Sequence, residues 1–172
     1  MDKIILLGYM GSGKTQTAQA LSRAIGWPVL DLDDVIQRHT QMTIAQIFET
    51  QGEIKFRKLE HDLLAGLMQD QEKAIISLGG GTPCYANNHV WLTKPGVVSV
   101  YLKTSIDTLF NRLWPERHHR PLIAQLDEAE MKEFIAKSLF ERSFYYNHAT
   151  HKIDTDGLSV DQVVSKIKEI LV

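Results

Sequence analysis

Residues 8–15 read GYMGSGKT, and they follow directly on Lys3-Ile4-Ile5-Leu6-Leu7, a short apolar run of strand character. Glycine gives up backbone order and packs no side chain, so three of them in eight positions need a reason. The reason is close approach of the backbone to something. The octet satisfies G-x-x-x-x-G-K-[ST], and its flanks fit as well. A strand precedes it. A helix follows from Thr15 to Ile25, with Ala18, Leu21 and Ile25 at helical spacing and Gly26 as its stop. In that setting backbone N–H groups converge on phosphate oxygens at a helix N-terminus. Gly11, Ser12 and Gly13 form the cradle, Lys14 brings a mobile positive charge to the β- and γ-phosphates, and Thr15 offers a hydroxyl to Mg²⁺. The competing reading is a glycine-rich turn with a solvated lysine. A chance match at four fixed positions is roughly a one-in-a-hundred event at ordinary glycine usage, and the strand–helix context makes it rarer.

The rest of the chain supports the same class. Pro28–Asp31, Ala74–Leu78, Val97–Leu102 and Lys152–Thr155 read as further short strands. Helical patterns cover residues 43–50 and 53–68, punctuated by Gly52 and started by Thr43 as N-cap, then 128–145 and 160–171. Trp27, Trp91 and Phe48 are expected in the core or at its edge. Continuous apolar strands alternating with helices predict an α/β fold with a parallel sheet covered on both faces. Ligands bind such sheets at the carboxyl ends of the strands. The 172 residues suit one domain, 1–172. The formal net charge of −2 supplies no field for nucleic acid or an anionic membrane. Cys84 is the only cysteine, which excludes an intrachain disulfide and fits a reducing cytoplasm. No apolar run is long enough to span a membrane.

Residues just behind the strands carry the chemistry. Asp31 and Asp33 lie on one side if the backbone stays extended, with Asp34 facing elsewhere. One carboxylate would serve Mg²⁺ and the other would accept a hydroxyl proton. The alternative is that Asp31 or Asp33 caps a helix beginning near Val35. Arg57 stands between Glu53 and Glu60 at helical spacing. That is either a surface ion-pair ladder or an arginine oriented by Glu60 as a fork for a carboxylate. Gly79-Gly80-Gly81 follows the third strand, where a ligand lying against the backbone accounts for three glycines better than a turn does. No acid ends that strand, which leaves Asp31 as the metal carboxylate. The segment 112–122 is locally basic, and Pro115 and Pro121 disfavour a continuous helix there. It reads either as a solvated loop or as a lid that brings an arginine onto a transferring phosphoryl group. His118 and His119 lack a metal-binding pattern. Arg142 sits near a helix C-terminus, where a cation is favourable anyway.

Taken together, GYMGSGKT, the aspartates of DLD at 31–33, TIAQIFETQGEIKFRKLE at 43–60, GGG at 79–81, RPL at 120–122 and ERSFYY at 141–146 resemble the shikimate kinases. The resemblance implies a P-loop α/β fold with a five-stranded parallel sheet flanked by helices, of the nucleoside-monophosphate-kinase type. It implies a substrate-binding insertion at about 32–60 and a lid at about 112–124. The implied reaction is ATP plus shikimate giving ADP plus shikimate 3-phosphate, within aromatic amino-acid biosynthesis, by a cytoplasmic monomer. By motif position, Asp33 would hold the shikimate hydroxyls and act as base. Arg57 and Arg142 would grip the carboxylate, with Gly79, Gly80 and Gly81 lining the ligand. Lys14 and Arg120 would neutralise phosphoryl charge, Thr15 and Asp31 would serve Mg²⁺, and Arg112 would lie on adenine beside the 154–157 loop. The lid departs from the family's polar pattern at Trp114-Pro115 and His118-His119, which leaves Arg112 and Arg117 without a firm register. The proline that often precedes the tyrosine of the Arg142 motif is missing, and Tyr146, not Tyr145, has the usual spacing.

Two other readings share the phosphate loop. A gluconate or nucleotide kinase of the same fold would not need GGG behind the third strand together with GE-x-x-FR-x-x-E. A nucleotide-dependent switch would keep Lys14 but need not keep Asp33, Arg57 and Arg120 together.

Overall fold

The computed structural model describes every residue from Met1 to Val172. Five strands, β1 (Lys3–Leu7), β2 (Val29–Asp31), β3 (Ala74–Ser77), β4 (Val97–Lys103) and β5 (His151–Asp154), form one sheet in the order β2-β3-β1-β4-β5. Every neighbouring pair is parallel. Helices α1 (Lys14–Ile25), α2 (Leu32–Thr40), α3 (Ile44–Gln69), α4 (Ile106–Leu113), α5 (Glu128–Tyr146) and α6 (Val160–Leu171) complete the chain.

Side-chain alternation along β1 explains the two faces. Ile5 and Leu7 point into a cluster with Leu32, Ile36, Ile47, Phe56 and Leu64 from α2 and α3. Ile4 and Leu6 point the other way, onto Ala18 and Leu21 of α1 and Val163, Val164 and Ile167 of α6. A third cluster joins Tyr9, Leu109, Phe110, Leu113, Ile123, Met131 and Ile135, and so ties the first loop to α4, the basic segment and α5. Trp27 and Trp91 are half-buried against the first two clusters. Phe48 stays 37% exposed and lies on Phe56, ring centroids 4.5 Å apart, so it belongs to the core's edge.

Three local outcomes differ from the sequence-based expectation. The extended backbone does not run through to Asp33: β2 stops at Asp31, whose carboxylate accepts from the Asp34 N–H at 3.2 Å and caps α2, which starts at Leu32 rather than near Val35. The two helices either side of Gly52 form one run, Ile44–Gln69, broken where Gly52 takes φ 81° and ψ 169°. Helix α4 went unforeseen, although Ile106, Leu109, Phe110 and Leu113 have the spacing of an amphipathic helix and Ser105 caps it. The prolines act as expected. α4 ends at Leu113, and Trp114–His119 is a 3₁₀ turn with Pro115 in its first turn, where no N–H is required.

Candidate active site

A cavity of about 690 Å³ opens at the carboxyl end of the sheet. Gly11 through Thr17 form its floor, and Asp31 and Asp33 stand beside Ser77-Leu78-Gly79-Gly80. Arg112, Leu113, Glu116 and Arg120 close one side, while Thr155, Leu158, Val160 and Val163 make an apolar wall on another.

The loop's glycine at position 8 is needed for room. A Cβ there would lie 2.7 Å from Ser12 Oγ and 2.9 Å from the Leu102 carbonyl, and the latter is strand backbone that cannot move aside. Gly13 caps α1 with φ 91°, a left-handed conformation that turns the first helical N–H groups toward the cavity. Lys14 arches back over the loop and donates to the carbonyls of Gly8 at 2.7 Å and Tyr9 at 3.1 Å.

Asp33, in the first turn of α2, and Lys14 define the electrostatics. Burial pushes the Asp33 carboxyl up to about 6, with Asp31 and Glu60 adding to the effect and Lys14 opposing it. Burial lowers Lys14 to about 8, against the pull of Asp33 and Asp31 and with help from Arg142 and Arg120. Lys14 therefore lies in the field of four other predicted site residues. Perturbed titration in a cleft is a mark of catalytic groups.

The glycine run is the junction. Gly79, Gly80 and Gly81 have no left-handed φ, so their backbone would accept other residues. Space is what forbids them. A Cβ on Gly79 would sit 3.3 Å from Asp33 Oδ1, one on Gly80 3.1 Å from Arg142 Nη1, and one on Gly81 2.8 Å from Arg57 Nη2. The site's own side chains lie against this backbone. Of the run, Gly79 and Gly80 border the 690 Å³ cavity; Gly81 does not, nor do Arg57 and Arg142, which pack against the run.

Each guanidinium is held. Arg57 Nη1 donates to Glu60 Oε1 at 2.9 Å, and Glu60, only 1% exposed, accepts from Thr82 Oγ1 at 2.9 Å. The ladder reading for Arg57 thus fails, because its partner is buried and bonded a second time. Arg142 lies 5.3 Å from the Tyr9 ring centroid. Tyr146, fully buried, donates to the Gly80 carbonyl, and the nearby Arg142 charge works against the rise that burial gives its phenol. Arg120 pairs loosely with Glu116 at 3.8 Å, and its Nε is buried without a partner. Arg112 donates to the Gly11 carbonyl at 3.0 Å. Arg117 turns away, stacking 3.7 Å over Trp114 and donating to its carbonyl. Asp34 also faces away, into a separate polar groove with Gln37 and Arg38.

Thr15 and Asp31 border the same cavity. No group of three or more His, Cys, Asp or Glu side chains is placed to hold a metal on its own. A hydroxyl and one carboxylate suit Mg²⁺, which takes few protein ligands and fills its shell with phosphate oxygens and water. His118 and His119 are exposed on the 3₁₀ turn, away from any such group.

Sequence reasoning missed several participants. Thr82, Tyr9 and Tyr146 make tertiary contacts, Glu116 makes a local pair four residues from Arg120, and Leu158, Val160 and Val163 look like ordinary core positions. Thr82 had a signal in its place directly behind GGG, Tyr9 in its place inside the phosphate loop, and Tyr146 in its spacing from Arg142, but none of the three signals gave the contact made.

The family model described as shikimate kinase matches residues 10–172. The shikimate kinase of Flavobacterium johnsoniae is 58% identical over 171 residues, 99% of each chain. The crystal structure of shikimate kinase from Bacteroides thetaiotaomicron superposes with a TM-score of 0.91 at 32% identity, covering 99% of this chain and 98% of that one. The shikimate kinase of Acinetobacter baumannii in complex with shikimate gives 0.87 at 30% identity, covering 99% and 93%.

Proposed function

The chain belongs to the shikimate kinase family, and from that premise we propose how its residues divide the work. It is an ATP-dependent phosphotransferase that moves the γ-phosphoryl group of ATP to the 3-hydroxyl of shikimate, giving shikimate 3-phosphate and ADP. The reaction serves chorismate and aromatic amino-acid biosynthesis.

Arg57 and Arg142 take the shikimate carboxylate, with the Gly79–Gly81 backbone along one side of the ring. Asp33 accepts the proton of the 3-hydroxyl as its oxygen attacks the γ-phosphorus. The bond from that phosphorus to the bridging oxygen breaks, and ADP leaves with the electron pair. Lys14 and Arg120 draw charge from the phosphoryl oxygens, where preorganised cations act most strongly. The Gly11-Ser12-Gly13 amides hold the phosphates, while Arg112 and the 155–163 wall receive the base. Thr15 and Asp31 would hold Mg²⁺, which when bound neutralises phosphate charge. Residues 32–60 act as the substrate-binding insertion and 112–124 as the lid of a single domain. A cytoplasmic monomer using only these small molecules is in keeping with a site built from one chain, a net charge of −2 and one half-buried cysteine.

The observation that carries the assignment is the glycine run, which gathers a base, Asp33, and two guanidinium groups, Arg142 and Arg57, beside the phosphate loop. The test is ADP release from MgATP with shikimate, gluconate or nucleoside monophosphates as acceptor. Shikimate alone is expected to stimulate turnover. Stimulation by another acceptor instead would keep the fold and discard the substrate.

A further inference from the structure

Tyr85 is not part of the motif that places Arg57, yet that guanidinium lies over the face of its ring, 3.9 Å from the carbon to the centroid. We propose that Tyr85 is a positioning residue for shikimate recognition, holding the Arg57 fork in the plane that receives the substrate carboxylate. The proposal rests on the carboxylate role given to Arg57 above.

The geometry points this way because the other restraints hold the guanidinium plane less closely, the Phe56 ring centroid standing 5.1 Å from its carbon against 3.9 Å for Tyr85. Glu60 fixes the Nη1 corner at 2.9 Å. Gly81 leaves Nη2 just enough room. Nε is buried without a partner, so the Nε–Nη2 edge is the one free to take a carboxylate in a two-point fork. A single hydrogen bond at one corner allows the guanidinium plane to swing about it. A ring against its face does not. Cation–π attraction favours the parallel stack, and rotamer freedom removed before binding is not lost on binding.

Tyr85 is itself well placed to act as a stop. It ends the 3₁₀ turn Thr82–Cys84 that follows the glycines. Thr82 is bonded to Glu60, and the Thr82 carbonyl accepts from Asn88 Nδ2 at 3.0 Å. Asn88, 1% exposed, is held in turn by His61 at 2.7 Å and donates its N–H to the Tyr85 carbonyl at 3.0 Å. The backbone of Tyr85 is thus locked to the helix that carries Arg57. Its side chain is 40% exposed, so substitution removes little from the core.

The test uses Tyr85→Leu and Tyr85→Phe in the full chain, with steady-state constants for both substrates and a melting curve for each variant. Tyr85→Leu should raise the shikimate KM roughly 3- to 20-fold, between the exposed and the desolvated strengths of a cation–π contact, while kcat and the ATP KM stay within about twofold. Tyr85→Phe keeps the ring and should behave as the parent. In an Arg57→Ala background, Tyr85→Leu should add nothing. An unchanged shikimate KM in Tyr85→Leu, when Arg57→Ala alone raises it, overturns the role of Tyr85 and spares that of Arg57. An unchanged KM in Arg57→Ala itself overturns the carboxylate fork and this proposal with it. A lower KM in Tyr85→Leu would mean that the ring obstructs the site.

Discussion

In the roles proposed for them, Asp33 and Lys14 set the pH response, because turnover needs the first deprotonated and the second protonated. The base works ionised, and its carboxyl is raised to about 6. The cation works protonated, and it is lowered to about 8. Turnover should therefore fall as pH drops through about 6 and again as pH rises past about 8. Bound phosphates add negative charge and move both limbs upward. Asp33→Asn should remove the acid limb and lower kcat about 10²- to 10⁴-fold, with ATP binding kept. An acid limb below about pH 5, or unchanged turnover in the variant, would remove Asp33 from the role of base. The same shift makes a prediction for stability. Folded Asp33 binds its proton more tightly than the unfolded chain does, so this contribution is lost as pH rises from the ordinary 3.8 through about 6. Above that, the buried carboxylate costs the fold on the order of 3 kcal/mol. Melting curves should then find Asp33→Asn more stable than the parent near neutral pH, with the gain shrinking toward pH 4; a loss at both ends would mean the carboxylate is a structural anchor. Asp31, Asp33 and Lys14 were legible in the sequence because each lies within a few residues of a strand end. The contacts that tune them were not: Glu60 reaches Asp33 only through the packing of α3, far along the chain.

The glycine run shows how an element can be read correctly for an incomplete reason. Three glycines behind β3 announce close approach, and the expectation was a ligand against the backbone. The backbone is in fact ordinary, and Asp33, Arg142 and Arg57 fill the Cβ positions. That makes the three sites separable. A methyl on Gly81 would press on Arg57 Nη2 at 2.8 Å, the far end of a flexible side chain, so the fold should survive while the fork moves. Gly81→Ala should raise the shikimate KM about tenfold, as loss of one charged contact would, with the ATP KM unchanged. Gly79→Ala would press instead on Thr82 Oγ1 at 3.1 Å and Asp33 Oδ1 at 3.3 Å, and should lower kcat more than it raises that KM. Equal effects of the two substitutions on both constants would mean that the run acts only as a spacer. The strands, α1, α3, α5 and α6 could be foreseen from periodicity. Helix α2 could not be bounded, because its cap, Asp31, is also a strand residue and a candidate ligand, and one side chain carried three competing readings.

At the scale of the molecule, the order β2-β3-β1-β4-β5 puts β1 in the middle, so its loop reaches the acids behind β2, the glycines behind β3 and the basic segment behind β4. That segment is pinned at both ends, and between them its hydrogen bonds are internal turns, Arg120 N–H to the Arg117 carbonyl and the Ile123 and Ala124 N–H groups to the Arg120 carbonyl. Trp114 stacks on Phe110 at 5.4 Å and under Arg117 at 3.7 Å, and Ile123 is fully buried in the third cluster. Between these anchors the only ion pair is Arg120 with Glu116 at 3.8 Å, both half-exposed, and such a pair contributes little. Leu122 is 68% exposed. A segment so weakly held can swing Arg120 over the phosphates at small cost, with closure driven by the phosphate charge itself. Trypsin should cut the free protein after Arg117, since the bond after Arg120 precedes proline, and a non-hydrolysable MgATP analogue with shikimate should slow that cut. Arg120→Ala should lower kcat about 10²- to 10³-fold and abolish the protection without shifting the melting temperature. Protection that survives Arg120→Ala would assign closure to contacts other than this arginine. No protection in the parent would mean that the segment is fixed and that Arg120 acts from where it already stands.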